Sequence, residues 1–160
     1  VKQQSTETTG AEIITRWNMT DEVILEGNVT YQDAEFSEGG NVGKQPRRQP
    51  EFSGNLAVTY NNGFVDGRLC LSYFGDAYAN DDNSVELDSH TIATLSAGYT
   101  WELNNDQRIR VGVSVWNLFD TDGITEGSPR QGNSQVSGGE FFVGRPVLPR
   151  RVSLTARYDF

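Results

Sequence analysis

Between Ala11 and Trp17 the chain alternates. Ala11, Ile13, Thr15 and Trp17 take one side of an extended backbone, and residues such as Glu12 and Arg16 take the other. The same repeat returns in Val23, Leu25, Gly27, Val29 and Tyr31, then in Phe52, Gly54, Leu56, Val58 and Tyr60, and again in Val65, Gly67, Leu69, Leu71, Tyr73 and Ala77. It continues through Ala93 to Trp101 and Ile109 to Val115, and closes with Val152, Leu154, Ala156, Tyr158 and Phe160. A period of two is the side-chain repeat of a β-strand. The runs therefore predict an all-β chain of about seven antiparallel strands. In the last run the second side carries Ser153, Thr155, Arg157 and Asp159. A length of about 10 residues, apolar on one side and wet on the other, fits a tilted strand that crosses a bilayer around an aqueous lumen.

The connections carry the topology. Residues 18–21, 61–63 and 103–107 read as short turns, whereas 36–50, 80–87 and 121–149 read as long loops, with residues 1–9 also loop. Asn62-Gly63 is the kind of pair a tight hairpin uses, because it tolerates positive φ. Short and long connections thus alternate, as they do in outer-membrane barrels. Trp17, Tyr60, Tyr99, Trp101, Tyr158 and Phe160 fall at the short-turn ends, where an interfacial aromatic belt is expected. An odd strand count does not close a bacterial barrel, whose strands are even in number. The chain is therefore expected to be the C-terminal portion, over residues 1–160, of a larger transmembrane β-barrel.

Composition changes the picture only in places. The 160 residues carry a net charge of -9 with an isoelectric point near 4.5, which argues against nucleic acid as a partner, since phosphate contact needs clustered Lys and Arg. No apolar run approaches the roughly 20 residues of a spanning helix. A mean hydropathy of -0.54 does not weigh against a barrel, whose alternation dilutes the apolar signal. Cys70, the single cysteine, is expected to face the wet side and has no internal disulfide partner. The first ten residues show no export signal.

Catalytic chemistry finds little footing. His90 is the only histidine, so multi-histidine metal sites are excluded and no enzyme constellation forms around it. Asp120-Thr121-Asp122-Gly123 opens like a calcium loop, but Gln131 stands where the twelfth-position Glu is required, so neither a metal site nor a cofactor is expected. Asp120 is read instead as an acceptor of backbone hydrogen bonds where the loop begins. Asp81, Asp82, Glu86 and Asp88 form an acidic loop, read as solvated or as a collector of cations. Glu26, Arg68, Arg110 and Arg157 point to the wet side and are expected to form networks there or to face a plug.

Three short motifs carry a family resemblance. Asn117-Leu118-Phe119-Asp120 resembles the "NLFD" motif near the penultimate strand of TonB-dependent receptors; Gly144-Arg145-Pro146 and Pro149-Arg150-Arg151 resemble that family's approach to the final strand; and Tyr73 to Tyr78 resembles one of its strand ends. The terminal Tyr158 and Phe160 resemble the closing aromatic signal by which outer-membrane barrels are assembled. The resemblance implies a barrel of about 22 strands with a plugged lumen. It also implies a Gram-negative outer-membrane location, uptake of a scarce ligand such as a siderophore, cobalamin or glycan, and no enzymatic activity. The implied partners are membrane lipid and lipopolysaccharide, the N-terminal plug and remaining strands of the same receptor, and TonB through that N-terminal region. Lys44, Arg47 and Arg48 in one loop, and Arg130 and Arg145 in another, would face lipopolysaccharide or an anionic ferric ligand, or else simply hydrate the loops. Asp81 and Asp82 join them as candidate ligand contacts. Two rivals stand beside this reading. One is a complete small barrel of structural or adhesive function, which needs an eighth strand at residues 139–143; the other is a soluble β-sandwich binding module. An isolated seven-strand piece is expected to self-associate through its open edges and apolar face.

Overall fold

The computed structural model describes residues 4–103, 107–131 and 140–160. In chain order its strands are β1 (Thr6–Asn18), β2 (Val23–Phe36), β3 (Phe52–Asn61), β4 (Val65–Phe74), β5 (Ala77–Tyr78), β6 (Glu86–Leu87), β7 (His90–Glu102), β8 (Arg108–Trp116), β9 (Ile124–Gln131), β10 (Glu140–Pro146) and β11 (Arg151–Asp159). Seven of them pair in one sheet in the order β1-β2-β3-β4-β7-β8-β11, each antiparallel to its neighbour. The sheet is open, with β1 and β11 at its edges.

Register turns the alternation of single strands into two continuous surfaces. Trp17 lies opposite Leu25, and the row continues through Val58, Leu69, Leu95 and Val115 to Val152. One residue along, Asn18 and Ile24 lead to Thr59, Arg68, Ser96, Ser114 and Ser153. A slip of one position would exchange the two surfaces, so the register is strongly specified wherever they meet different solvents. Among the described residues no second layer covers the apolar surface: Ile13 is 72% exposed and Leu154 78%. The total accessible surface is 11246 Å², against about 7,900 Å² for a compact monomer of this mass. Among the described residues no second sheet packs on that apolar side as a sandwich requires.

The exposed apolar side has a belt at each end. Trp17, Tyr60, Tyr99, Trp101 and Tyr158 sit toward the short turns, and the Tyr99 and Trp101 rings meet tilted, with centroids 4.6 Å apart. The sequence reading placed aromatics at that end alone. A second group, Tyr31, Phe52 and Tyr73, lies on the same surface at the far end, with Tyr31 and Phe52 4.9 Å apart. Two belts are what strands crossing a bilayer would carry, since a bilayer has two interfaces. Phe52 and Tyr60 are eight residues apart on β3, about 26 Å along a strand at ~3.3 Å per residue. Strand tilt brings that span near the ~25 Å apolar band of outer-membrane barrels.

Short turns are closed by side chains. Thr20 Oγ1 accepts from the Glu22 and Val23 amides at 3.2 and 3.0 Å. Asn61 Oδ1 accepts from Gly63 N at 2.8 Å, and Asn62 Oδ1 from Val65 N at 2.8 Å, while Gly63 takes a φ of 91°. Of the third turn, the Leu103 amide donates to Gln107 O at 2.8 Å; residues 104–106 lie outside the described set.

Three expectations need correction. Residues 6–9, read as loop, are the start of β1, paired from Thr6 opposite Phe36 to Thr9 opposite Asp33. Beyond the Tyr31 belt β1 is exposed on both sides, and Thr6, Glu7, Thr8 and Thr9 offer no apolar alternation to be read. Second, the strand running through Ala77 ends at Phe74. Gly75 donates to Phe52 O at 2.9 Å, and a Cβ there would come within 2.6 Å of that oxygen, so a glycine lets the chain turn off the sheet; Ala77 then belongs to β5. Third, the last long loop holds a hairpin, with Phe142 opposite Pro129 and Gly144 opposite Gly127. β10 overlaps the segment proposed as an eighth barrel strand, but it pairs with β9 and not with the main sheet; Gly139 lies outside the described residues.

Candidate functional site

Away from the short turns, the three long connections fold over the polar side of the sheet and pack there. Ala34, Phe36, Ala77, Ala79, Leu87, Ile92 and Val147 are buried, and most of the chain's apolar core is at this end. Below them lies a cavity of about 410 Å³. Its floor comes from polar-side positions of the strands: Phe74 opposite His90, Ile92, and Trp116 at the end of β8. Phe74 and His90 stack with centroids 5.2 Å apart, and the Arg151 guanidinium lies 5.1 Å from the Trp116 ring. Leu87, Ile124, Pro146 and Val147 supply apolar walls, with Asp88, Arg48 and Arg145 also on the lining.

Two ionic junctions hold the loops together. In the first, Lys44 Nζ donates to Asp82 O at 2.8 Å, the Arg47 amide donates to Asp81 Oδ1 at 3.3 Å, and Arg47 Nε lies 3.7 Å from the same oxygen. Gln45 and Asn83 exchange two hydrogen bonds between them, at 2.9 and 2.8 Å. In the second junction, Glu126 Oε1 is 2.8 Å from Arg145 Nη1 and Glu126 Oε2 is 3.3 Å from Arg48 Nη1. Arg48 also donates through Nη2 to Gly127 O at 3.2 Å and through its amide to Tyr78 O at 2.7 Å, with a φ of 63°. Most of these ion pairs are part-exposed and individually contribute about 0–1 kcal/mol.

A third junction explains the Asn117-Leu118-Phe119-Asp120 stretch. Asn117 is fully buried with a φ of 52°. Its Nδ2 donates to Thr121 O and to Leu148 O, both at 3.0 Å, and its Oδ1 accepts from the Thr121 amide at 2.9 Å. Leu118 N reaches back to Ala93 O at 2.8 Å. Asp120 Oδ1 accepts from the Arg150 amide at 2.7 Å, so both ends of the last loop are tied at one point. Phe119 is exposed.

The structure therefore gathers Lys44, Arg47, Asp81 and Asp82 into one cluster and Arg48 and Arg145 into another. Sequence reasoning had treated the acids and the cations as separate loop surfaces. The side chain of Arg130 lies outside the described set, as does Gln131 of the calcium-like stretch. Tyr158 and Phe160 are at the opposite end, their rings 6.0 Å apart and Phe160 98% exposed. The cavity floor was missed, although Trp116 follows Val115 and so falls on the wet side by parity. Glu126 gave no signal, because its hairpin lacks alternation. Among the described residues no group of three or more His, Cys, Asp or Glu is placed to hold a metal.

Farther down the same polar side, Glu26 receives Arg68 at 2.7 Å and Arg16 at 3.2 Å. Arg110 Nε donates to Asp66 at 3.0 Å, lying over Gly98, where a Cβ would collide with the guanidinium. Arg157 Nε donates to Asp159 at 2.7 Å. Cys70 is on this side too, half-buried opposite Ala57 and Thr94.

In the loop cluster, the Ser84 hydroxyl holds the Asp82 carboxyl below the ordinary aspartate range, with the Ser84 amide and Lys44 helping. A depressed folded value stabilises the loop above the unfolded pKa near ~3.9 and loses that contribution as pH falls through the folded one. Hydrogen exchange at the Ser84 amide is expected to be protected at pH 7 and to lose that protection selectively as acidification protonates Asp82, below the ordinary aspartate range. Unchanged protection would contradict the assignment.

A sequence model of the family described as "TonB dependent receptor-like, beta-barrel" matches residues 1–118. The fold is similar to that of the ferric preacinetobactin receptor BauA from Acinetobacter baumannii, at 19% identity and a TM-score of 0.79, over 100% of this chain and 23% of that one. It is similar to the ferric yersiniabactin uptake receptor FyuA from Yersinia pestis at 20% identity and 0.75, over 98% and 24%. The ferripyoverdine receptor of the outer membrane of Pseudomonas aeruginosa matches at 17% and 0.67, over 98% and 20%. The chain thus spans less than a quarter of the length of these proteins.

Proposed function

The chain belongs to the TonB-dependent receptor β-barrel family, and on that premise we propose that it forms the C-terminal wall and loops of an outer-membrane receptor for a scarce ligand of the ferric-siderophore class. The observation that carries the proposal is the cavity of about 410 Å³ under three interlocked loops, with an aromatic floor and Arg48 and Arg145 on its lining. A concave, mostly apolar site with a few charged groups is the usual form of a small-molecule pocket. Its arginines suit an anionic chelate, and its ring-bearing floor suits an aryl body.

The rest of the chain divides among the receptor's other tasks. The apolar side would meet lipid, with the wet rise of β1 and β2 reaching the lipopolysaccharide layer. The polar side would line the lumen, where the Glu26, Arg68, Asp66 and Arg110 network would face the N-terminal plug. TonB would engage the receptor through that N-terminal region and supply the energy for uptake. Tyr158 and Phe160 would serve assembly, exposed as they are at the end of an edge strand. The bare edges of β1 and β11 would pair with the remaining strands; a purified seven-strand piece would instead self-associate in detergent-free buffer.

Uptake of iron-55 supplied as catecholate, hydroxamate and hydroxycarboxylate chelates tests the reading. Cells carrying the receptor are expected to accumulate at least one chelate well above cells lacking it. A Arg48→Ala, Arg145→Ala double variant is expected to lose about tenfold or more of that uptake, as loss of charge-assisted contacts implies. Identical accumulation of all three chelates with and without the receptor would overturn the ferric-siderophore assignment.

A further inference from the structure

We propose that Glu126 is an internal stand-in for the ligand's acid group, occupying Arg48 and Arg145 beside the cavity until an anionic ligand displaces it. The inference rests on the cavity being the ligand site, as proposed above. Both oxygens of the Glu126 carboxylate are engaged, one by each guanidinium, at 2.8 Å to Arg145 and 3.3 Å to Arg48. That is the posture a ligand carboxylate or catecholate would take between the same two cations. The Glu126 side chain is 30% exposed and its partners 40% and 75%, so the pairing is solvent-screened and easily exchanged.

Arg48 would not follow Glu126 when it leaves. Its amide is held by Tyr78 O at 2.7 Å, on the neighbouring loop, and its backbone sits at φ 63°. It is a cation fixed by one loop that grips the hairpin of another through Glu126 and Gly127 O. Arg48 and Arg145 line both the cavity, where Asp88 is the acid on the lining, and the depression beside it, where Glu126 faces the two cations. The two cations are therefore partly offset at rest and turn fully to a ligand only as Glu126 withdraws.

The sign of one substitution separates this role from that of a plain latch. A latch removed would loosen the hairpin and weaken binding; a stand-in removed would leave two guanidiniums without a carboxylate partner near an aromatic floor and strengthen it. The test is calorimetric titration of the full-length receptor in detergent with salicylate, an aryl carboxylate, and with acetate, which has no ring. Glu126→Gln is expected to bind salicylate about tenfold more tightly than the unmodified receptor, with a smaller gain for acetate. Arg48→Ala and Arg145→Ala are expected to weaken salicylate. Equal or weaker binding by Glu126→Gln, with the arginine variants still impaired, overturns the stand-in and leaves the cavity assignment intact. Arginine variants that bind like the unmodified receptor overturn both. Should Glu126→Gln fail to fold, Glu126→Asp reads the same sign, because its shorter side chain spans the two cations poorly: tighter binding supports the proposal, and equal or weaker binding overturns it.

Discussion

Replacing Asn117 with alanine is expected to destabilise the folded barrel by about 2–4 kcal/mol, more than any other single truncation in the loop region. The side chain is fully buried, and it alone satisfies the Thr121 amide while donating to the carbonyls of Thr121 and Leu148. Alanine would leave those groups without their partner, at about 1–3 kcal/mol for a buried one. It would also inherit a φ of 52°, which asparagine tolerates better than most residues and which adds up to about 1 kcal/mol of strain for alanine. Asn117→Gly removes the strain but restores none of the hydrogen bonds, so it is expected to recover only the smaller part. The check is the denaturant midpoint of the full-length receptor in detergent, where a shift for Asn117→Ala within the scatter of exposed loop variants would contradict the clamp.

The second large effect concerns the apolar side. Leu56 stands midway between Phe52 and Tyr60 on β3, opposite Gly27 and Leu71, and is 47% exposed. Arginine at the middle of a lipid-facing band costs about 2–4 kcal/mol. Asn55, one position away, points to the wet side, where it meets Asn28 at 3.1 Å and Ser72 at 2.6 Å. Asn55→Arg forfeits those part-exposed bonds and is expected to cost about 1 kcal/mol or less. Folding into phospholipid vesicles, followed by urea titration, should separate the two variants by at least about 2 kcal/mol. Equal costs would mean that the two sides of the sheet do not meet different solvents.

That difference between sides is also what made the sheet legible. All seven strands of the main sheet were readable because its two sides carry opposite chemistries on alternate residues, as lipid and a wet lumen would impose, so Leu56 and Asn55 declare their sides without any fold in hand. Where both sides are wet, the signal fails. Thr6 to Thr9 belong to a strand yet read as loop, because ladder hydrogen bonds sustain that pairing and no apolar repeat is needed. The cavity was harder still. Trp116 was available by parity, but Glu126 meets Arg48 across 78 positions of chain, and local patterning does not encode which loops will touch. Asn117 was visible as part of a motif; its work as a buried clamp between Thr121 and Leu148 emerged only with the neighbours in place.

The central claim is that these strands are one stretch of the wall of a much larger membrane barrel. It is tested most directly by the size and location of the native polypeptide that carries this sequence, detected in cell fractions with an antibody against the 117–150 region. The account predicts a band in the outer-membrane fraction roughly four times the 17.7 kDa of this chain, since the chain covers 24% and 23% of the FyuA and BauA receptors. A band near 17.7 kDa in the soluble fraction would contradict it.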